Sequence, residues 1–219
     1  KNTVKAQGSI GYIVSNFKAG CKFGMNLKTT NTWFIFKTMP EDEGDLGEKR
    51  VMDLNGTKVP YIYNPGLCAA MNMPIACTMA LLSNATTMQF SLLIFVDDTF
   101  EKLSAKAQKF VIAHEYGHII NHHLEKIGQD ELDWCEDHGV TRAEIASGTS
   151  FKDLKLMGQM TQDVRNFKYE AVADAYGASV VGVVAARNSL REMYCAVPML
   201  CRSKRFKDDI NNRLDALCK

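Results

Sequence analysis

The sequence lacks long hydrophobic runs and any surplus of charge of one sign. Its 219 residues contain 26 Lys and Arg against 25 Asp and Glu, which leaves a net charge of +1. No overall field therefore steers the protein toward nucleic acid or anionic lipid, and we expect no nucleic-acid partner. No stretch has the roughly 18 consecutive apolar residues of a transmembrane helix, so we also expect no membrane span.

The sequence also has no regular cysteine framework and no signal region. Its seven cysteines are an odd number without regular spacing, which favours a soluble protein of a reducing compartment, such as the cytoplasm, over a disulfide scaffold. The first residues, Lys-Asn-Thr, include neither an initiator Met nor an apolar segment, so we expect a trimmed or processed chain. The length and the apolar fraction of 46% predict a single domain, residues 1–219, with its own core. Nothing indicates an oligomeric state.

Residues 1–98 are predicted to be rich in β-strands. Asn55-Gly56 lies between two strand-like segments, and this dipeptide favours a type I′ hairpin. Pro60 in the second segment suggests an edge strand or a break. The apolar run Gln89–Val96 has the length of a strand. The remaining predicted elements here are strands at residues 31–38, 50–54 and 57–63 and a buried helix at residues 66–82.

Residues 99–219 are predicted to be mainly helical, because the spacing of apolar residues changes there from two to about 3.6. Ser104 is the expected N-cap of a helix that ends near residue 126. Residues 128–162 are polar and acidic without a sustained period, which indicates a loop with short helices. The two parts together predict an α+β fold. The other expected helices are at residues 162–188 and, amphipathic and mildly basic, at residues 202–219.

Four of the five histidines lie in one short segment, HEYGHIINHH. His114 and His118 are four positions apart, so on a helix both would lie on one face, where both can reach a single metal ion. Glu115, beside them, can accept a proton from a water at that ion. Because a catalytic zinc uses three protein ligands and an open position for water, this HExxH motif predicts a zinc site.

The neighbours of the motif favour a metal site over a chance pattern. The helix is expected to be mostly buried, where unpaired histidines and a carboxylate would be costly. Gly117 would leave room for a second element to pack closely against the metal helix. The apolar neighbours are Phe110, Val111, Ile112, Ala113, Ile119 and Ile120.

The third ligand must come from another element. His122 lies one further turn along, but its angular drift and its distance from His114 make it a poor ligand for the same ion. Glu170, on the second predicted helix, is the better candidate. Asp174, one turn later on the same face, would accept the free N–H of a ligand histidine and fix its tautomer. The apolar neighbours of this pair, Val172, Ala173, Ala175 and Tyr176, argue against an ordinary solvated pair.

These residues resemble the gluzincin endopeptidases grouped with the CAAX prenyl protease and HtpX. The resemblance implies a zincin-like fold in which His114, His118 and Glu170 hold one zinc ion per chain. Glu115 would be the general base and Asp174 the supporting aspartate. It also implies that Gln89–Val96 is an edge strand, beside the metal helix, along which an extended substrate lies. The matching pattern is His114-Glu115-x-Gly117-His118, then His123, then Glu170-x-x-Ala173-Asp174-x-x-Gly177.

The sequence also resembles the ImmA/IrrE type of metallopeptidase, which shares HExGH and a later Glu-x-x-Ala-x-x-aromatic pattern. Tyr176 fits this second family, whereas Asp174 and His123 fit the first. Both resemblances imply zinc-dependent peptide hydrolysis. They differ in substrate, because ImmA/IrrE-type enzymes act on or alongside repressors.

We therefore expect a zinc metalloendopeptidase acting on peptide or protein substrates, with a zinc-activated water and Glu115 as base. The alternative is a non-catalytic structural or sensor protein that retains the zinc site. The intact Glu115 argues against it, because a structural site closes its fourth position with a ligand and needs no base. The residue that stabilises the tetrahedral intermediate stays open among Tyr169, Tyr194, His138 and Arg202.

Overall fold

The computed structural model of the protein describes residues 6–7, 25–26, 33–35, 46–70, 73–84, 89–139, 164, 167–197 and 204–218. The strands are β1 (Ala6–Gln7), β2 (Met25–Asn26), β3 (Trp33–Ile35), β4 (Glu48–Leu54), β5 (Thr57–Tyr63), β6 (Ala76–Asn84) and β7 (Gln89–Val96). The helices are α1 (Pro65–Ala70), α2 (Asp98–Glu101), α3 (Ala105–Ile120), α4 (His123–Asp137), α5 (Phe167–Val181), α6 (Val183–Ala196) and α7 (Lys204–Ala216).

The chain divides into two compact units. The first comprises residues 1–44, 79–93 and 122–166, and the second comprises residues 45–78, 94–121 and 167–219. The second unit contains all the residues predicted to form the metal site. That the whole chain is one domain stays a prediction.

Strands β3 to β7 form a mixed sheet, and β1 and β2 form a separate two-stranded sheet. Together with the helices they confirm the predicted α+β class. In the second unit, β4 pairs antiparallel with β5, and β5 pairs in parallel with the end of β7. In the first unit, β3 pairs in parallel with the start of β7, and β1 pairs in parallel with β2. β3 lies within the strand predicted at residues 31–38.

β7 is an interior strand of the sheet, since it pairs with β3, β5 and β6. The prediction that Gln89–Val96 is the edge strand is therefore wrong. Its continuous apolar run is typical of a strand covered on both faces, and residues 92–96 are at most 2% exposed. Among the strands that the structure describes, β6 pairs with β7 alone. Because Thr78 of β6 contacts Glu115 of α3, the edge strand beside the predicted metal helix is β6.

The Asn55-Gly56 hairpin is confirmed. The two strands are paired up to Leu54 and Thr57, which leaves a turn of two residues. Both turn residues have positive φ, 56° for Asn55 and 101° for Gly56, as a type I′ turn requires. Pro60 pairs with Val51 of β4 inside a continuous strand, and β5 lies between β4 and β7, so the edge strand or break predicted from Pro60 is wrong. The described pairing of β5 with β7 begins only after the proline, at Ile62, which fits its lack of an N–H donor.

The buried helix predicted at residues 66–82 is wrong for most of its length. α1 covers only the start of this segment, and β6 occupies its end. Pro74 cannot donate a helical hydrogen bond, and it disfavours a helical backbone in the preceding residue. Ile75 has a φ of 77°, and its amide donates to the Asp97 carboxylate. These features turn the chain into the strand.

α3 begins at the predicted N-cap, because the Ser104 hydroxyl accepts a hydrogen bond from the amide of Ala107. The helix ends at Ile120 and not near residue 126. His122 takes a left-handed conformation with a φ of 56°, which interrupts the helical backbone. The apolar spacing alone did not reveal this break.

Two other predicted boundaries differ. The segment predicted at residues 128–162 as a loop with short helices starts inside α4, a regular helix of 15 residues, and residues 140–162 lie outside the described residues. The helix predicted at residues 162–188 contains a break, because Gly182, with a φ of 88°, separates α5 from α6. α7 confirms a helix within residues 202–219.

Four helices of the second unit, α3, α5, α6 and α7, pack around a shared apolar core, which fixes the elements that carry the site. Its buried members come from α3, α5, α6 and α7 and are Phe110, Ala178, Ala186, Leu190 and Leu214. Val181, Met193, Ile210 and Leu217 pack against them. None of the helices in the described part of the chain is long and apolar enough to cross a membrane. Among the described residues, five cysteines are not in disulfide bonds: Cys68, Cys77, Cys135, Cys195 and Cys218.

Candidate metal centre

α3 and the first turn of α5 bring three metal-binding side chains together. His114 and His118 lie one turn apart on α3, with their Nε2 atoms 3.1 Å from each other. Glu170 of α5 places Oε2 3.4 Å from His114 Nε2 and Oε1 3.6 Å from His118 Nε2. One ligand atom from each residue lies within 4.8 Å of the other two. The structure thus gathers the three residues predicted as ligands into a group that could hold a metal ion.

Gly117 lets α5 approach α3 at the level of this group. A Cβ atom built on Gly117 would lie 3.2 Å from the Cα of Ala173 and 3.2 Å from the Cβ of Tyr176. Ala173 lies one turn after Glu170, so a side chain at position 117 would push against the segment that carries the carboxylate. The expectation that Gly117 makes room for a second element is confirmed.

Asp174 contacts His114 on the side away from His118. Its Oδ1 lies 2.8 Å from His114 Nδ1, and the residue is fully buried. Because an ionised carboxylate only accepts hydrogen bonds, Nδ1 donates, so when the ring is neutral its lone pair is on Nε2, which faces His118 and Glu170. This is the tautomer that a metal ligand needs, and the contact is the one predicted for Asp174.

Arg213 of α7 holds Asp174 in turn, and sequence reasoning missed it. Its Nε donates to Oδ2 and its NH2 donates to Oδ1, each over 2.7 Å, which makes a bidentate pair. Its NH1 also lies 3.6 Å from Glu170 Oε2. The sequence showed only a mildly basic amphipathic segment, and no signal separates Arg213 from the other basic residues there.

The site attracts positive charge. Burial raises the pKa of Asp174, but the hydrogen bonds and charge of Arg213 outweigh it and leave the pKa lowered. Burial likewise raises the pKa of Glu170, while His114 and Arg213 bring it well below its usual value. Burial lowers the pKa of His114, yet its bonds to Asp174 and Glu170 raise it to about 10. The site therefore favours a cation at His114 Nε2, whether a proton or a metal ion.

The donor set fits a divalent metal ion. Burial and the neighbouring His114 lower the pKa of His118 to about 4, so its ring stays neutral. Two imidazole nitrogens and a carboxylate are a known ligand set of catalytic zinc. The carboxylates of Glu170 and Asp174 share the guanidinium of Arg213, and a divalent cation bound by His114, His118 and Glu170 would offset the negative charge that remains.

Glu115 is oriented by the edge strand. The Thr78 hydroxyl on β6 donates to Glu115 Oε2 over 2.6 Å. Burial raises the pKa of Glu115, and the charge of His114 and the bond from Thr78 offset part of the shift. One carboxylate oxygen is thus held while the other can accept a proton. Thr78 was not predicted, because it lies in the segment predicted as a helix.

The other candidates do not belong to this three-residue group or lie outside the described residues. His122 is an exposed residue beyond the end of α3 and is not a member of the three-residue group. Tyr169 is a buried residue of α5, Tyr194 lies in α6, and His138 follows α4. Arg202 lies outside the described residues. The residue that would stabilise a tetrahedral intermediate stays open.

The substitution Gly117→Ala should weaken metal binding without removing a ligand. The new methyl group would force α3 and α5 apart by a few tenths of an ångström and move Glu170 away from the imidazoles. We expect the zinc affinity to fall about 10-fold and the free energy of unfolding to fall by about 1–3 kcal/mol. Chelator competition and thermal unfolding measure the two effects.

Gly66→Ala is the matched control for this prediction. Gly66 also lies in a helix, but among the described residues a Cβ atom there would meet only Asn64 Oδ1, at 3.6 Å. It should therefore gain helix propensity without a clash. If both variants bind zinc as the wild type does, the close approach at Gly117 does not set the metal geometry.

Comparison with known families agrees with this chemistry. Residues 91–146 match the peptidase M78 family, described as the IrrE N-terminal-like domain. The match supports a metallopeptidase-type family. The matched segment includes the HExxH motif and ends before Glu170. It favours the resemblance to the ImmA/IrrE type. The resemblance to the CAAX prenyl protease and HtpX is not supported. No curated protein and no solved structure gave a significant match.

Proposed function

We propose that the protein is a zinc metalloendopeptidase in which Glu115 acts as the general base. The convergence of His114 Nε2, His118 Nε2 and the Glu170 carboxylate carries this proposal. The match of residues 91–146 to a metallopeptidase-type family supports it separately, because the matched segment does not include Glu170.

His114, His118 and Glu170 would hold one zinc ion per chain. Bound zinc would polarise the scissile carbonyl and make a water molecule nucleophilic near neutral pH. Asp174 keeps the proton of His114 on Nδ1, so that Nε2 can bind the ion. Three protein ligands leave the open position that catalysis requires.

Glu115 would accept the proton of the attacking water and deliver it to the leaving amine. Its carboxylate interacts with the charges of His114, Glu170 and Arg213, so it belongs to the same cluster. The hydrogen bond from Thr78 fixes its orientation. Burial raises its pKa toward the range in which a base works well at neutral pH.

The rival function is a structural or sensor site that binds zinc and cleaves nothing. Such a site is normally closed by a fourth protein ligand. Within the part of the chain that the structure describes, the group has three members, and none of them is a cysteine. The donor set therefore favours a catalytic zinc site over a structural or sensor site.

A peptide-library experiment tests the proposal. The chain is stripped of metal with a chelator, reloaded with one equivalent of zinc or with magnesium as a control, and incubated with peptides from a digested proteome. New peptide termini are then found by mass spectrometry. We expect internal cleavages with zinc only. One zinc bound per chain without any cleavage would contradict the proposal in favour of the structural or sensor role.

A further inference from the structure

The position of Arg213 is fixed by the core of the second unit. Leu214, the next residue on α7, lies in the apolar core with Phe110 and Leu190. Ile210 and Leu217, one turn before and one turn after Arg213, pack against the same core. These contacts hold the arginine on the side of α5 that carries Asp174 and Glu170.

Arg213 and His114 together occupy both oxygens of Asp174. Oδ1 accepts from His114 Nδ1 at 2.8 Å and from Arg213 NH2 at 2.7 Å, and Oδ2 accepts from Arg213 Nε at 2.7 Å. A guanidinium is a planar fork that fixes the plane of the carboxylate it binds, whereas an ammonium is a point charge. The direction in which Asp174 receives the His114 hydrogen bond is therefore set by Arg213.

The same guanidinium reaches a second site residue. Arg213 NH1 lies 3.6 Å from Glu170 Oε2, within ion-pair distance. The Arg213 side chain is only 11% exposed, whereas that of Glu170 is 39% exposed, so solvent partly screens this attraction; the pair with Asp174, which is 1% exposed, is screened much less. One residue of α7 thus acts on a ligand of α3 through Asp174 and on a ligand of α5 directly.

We infer that Arg213 is a positioning residue of the metal centre: it sets the affinity for zinc by orienting His114 through Asp174 and by drawing Glu170 toward the imidazoles. The inference rests on the proposed zinc site and adds the C-terminal helix to it. Loss of the geometry of Arg213 should therefore weaken metal binding even when its charge and the fold are retained.

The test measures zinc affinity by competition with a chromogenic chelator, alongside circular dichroism and thermal unfolding of the metal-free chain. Arg213→Lys keeps the charge but cannot form the bidentate pair. We expect its zinc affinity to fall about 10-fold or more, with a folded spectrum. Arg191→Lys is the matched control, because Arg191 is an exposed residue of α6 whose guanidinium, among the described residues, donates to the Asn188 side chain at 3.4 Å and to no carboxylate.

A double-mutant cycle separates positioning from a purely structural role. Arg213→Met leaves Asp174 buried without its partner and is expected to destabilise the chain, whereas Arg213→Met with Asp174→Asn removes both charges and should regain stability. The single variant Asp174→Asn completes the cycle. If Arg213 acts through Asp174, the fold-loss of zinc affinity in the double variant is smaller than the product of the fold-losses in Arg213→Met and Asp174→Asn. A double variant that regains stability but still binds zinc weakly supports the inference.

Two results would overturn the inference, and they differ from failure of the proposed function. The first is a folded Arg213→Lys variant that binds zinc as tightly as the wild type. The second is a double variant whose fold-loss of zinc affinity equals the product of the fold-losses in the two single variants. If the wild type itself bound no zinc, the proposed function would fail, and this inference with it.

Discussion

Glu115→Gln should abolish peptide hydrolysis and leave zinc binding unchanged. Glutamine has the shape of glutamate, and its amide oxygen can still accept the hydrogen bond that Thr78 donates over 2.6 Å to the carboxylate. It cannot accept a proton at neutral pH, so the general base is lost. General acid–base catalysis contributes roughly 10²- to 10⁴-fold to a rate, and we expect kcat to fall by at least the lower of these factors.

The measurement pairs turnover of a substrate found in the peptide library with the zinc content of the same sample. Glu101→Gln is the control, because Glu101 is an exposed residue of α2 that pairs with Arg50 at 2.6 Å. It should cleave as the wild type does. Equal activity in Glu115→Gln and the wild type would show that another group takes the proton.

His118→Ala should remove most of the zinc affinity. The substitution deletes one of the three proposed ligand atoms, and its effect should exceed the roughly 10- to 100-fold loss that follows removal of a residue supporting a ligand. Because the metal-free chain loses only a buried neutral imidazole, its unfolding temperature should change much less than that of the zinc-loaded chain. Zinc should accordingly raise the unfolding temperature of the wild type and not that of the variant.

His122→Ala is the control for His118→Ala, since both histidines lie near the end of α3 and only His118 belongs to the three-residue group. Chelator competition on both variants shows which of the two histidines contributes to zinc affinity. We expect wild-type affinity in His122→Ala. A large loss in His122→Ala with little loss in His118→Ala would mean that the ligand set has been assigned to the wrong histidine.

Local patterns predicted much of the fold and the core of the site. The turn at Asn55-Gly56, the cap at Ser104 and the HExxH spacing each depend on residues a few positions apart, and all three are found in the structure. Glu170 and Asp174 were selected by their four-residue spacing on an apolar helix. Because residues four positions apart lie on one face of a helix, both carboxylates can contact His114.

The remaining features depend on tertiary contacts that no local pattern contains. Arg213 is recognisable only once α7 packs beside Asp174, and Thr78 only once its segment is known to be a strand. Whether a strand is interior or at an edge is decided by its neighbours, which is why β7 was placed at the wrong position. The left-handed residue His122 divides a segment whose apolar spacing favoured one continuous helix.

The most direct test of the account is a crystal structure of the zinc-loaded chain with an anomalous difference map recorded at the zinc absorption edge. We expect one strong peak per chain, bound by His114 Nε2, His118 Nε2 and a Glu170 oxygen, with Asp174 on His114 Nδ1 and Arg213 on Asp174. A peak bound by other side chains, or one whose fourth position is closed by a protein ligand, would contradict the account.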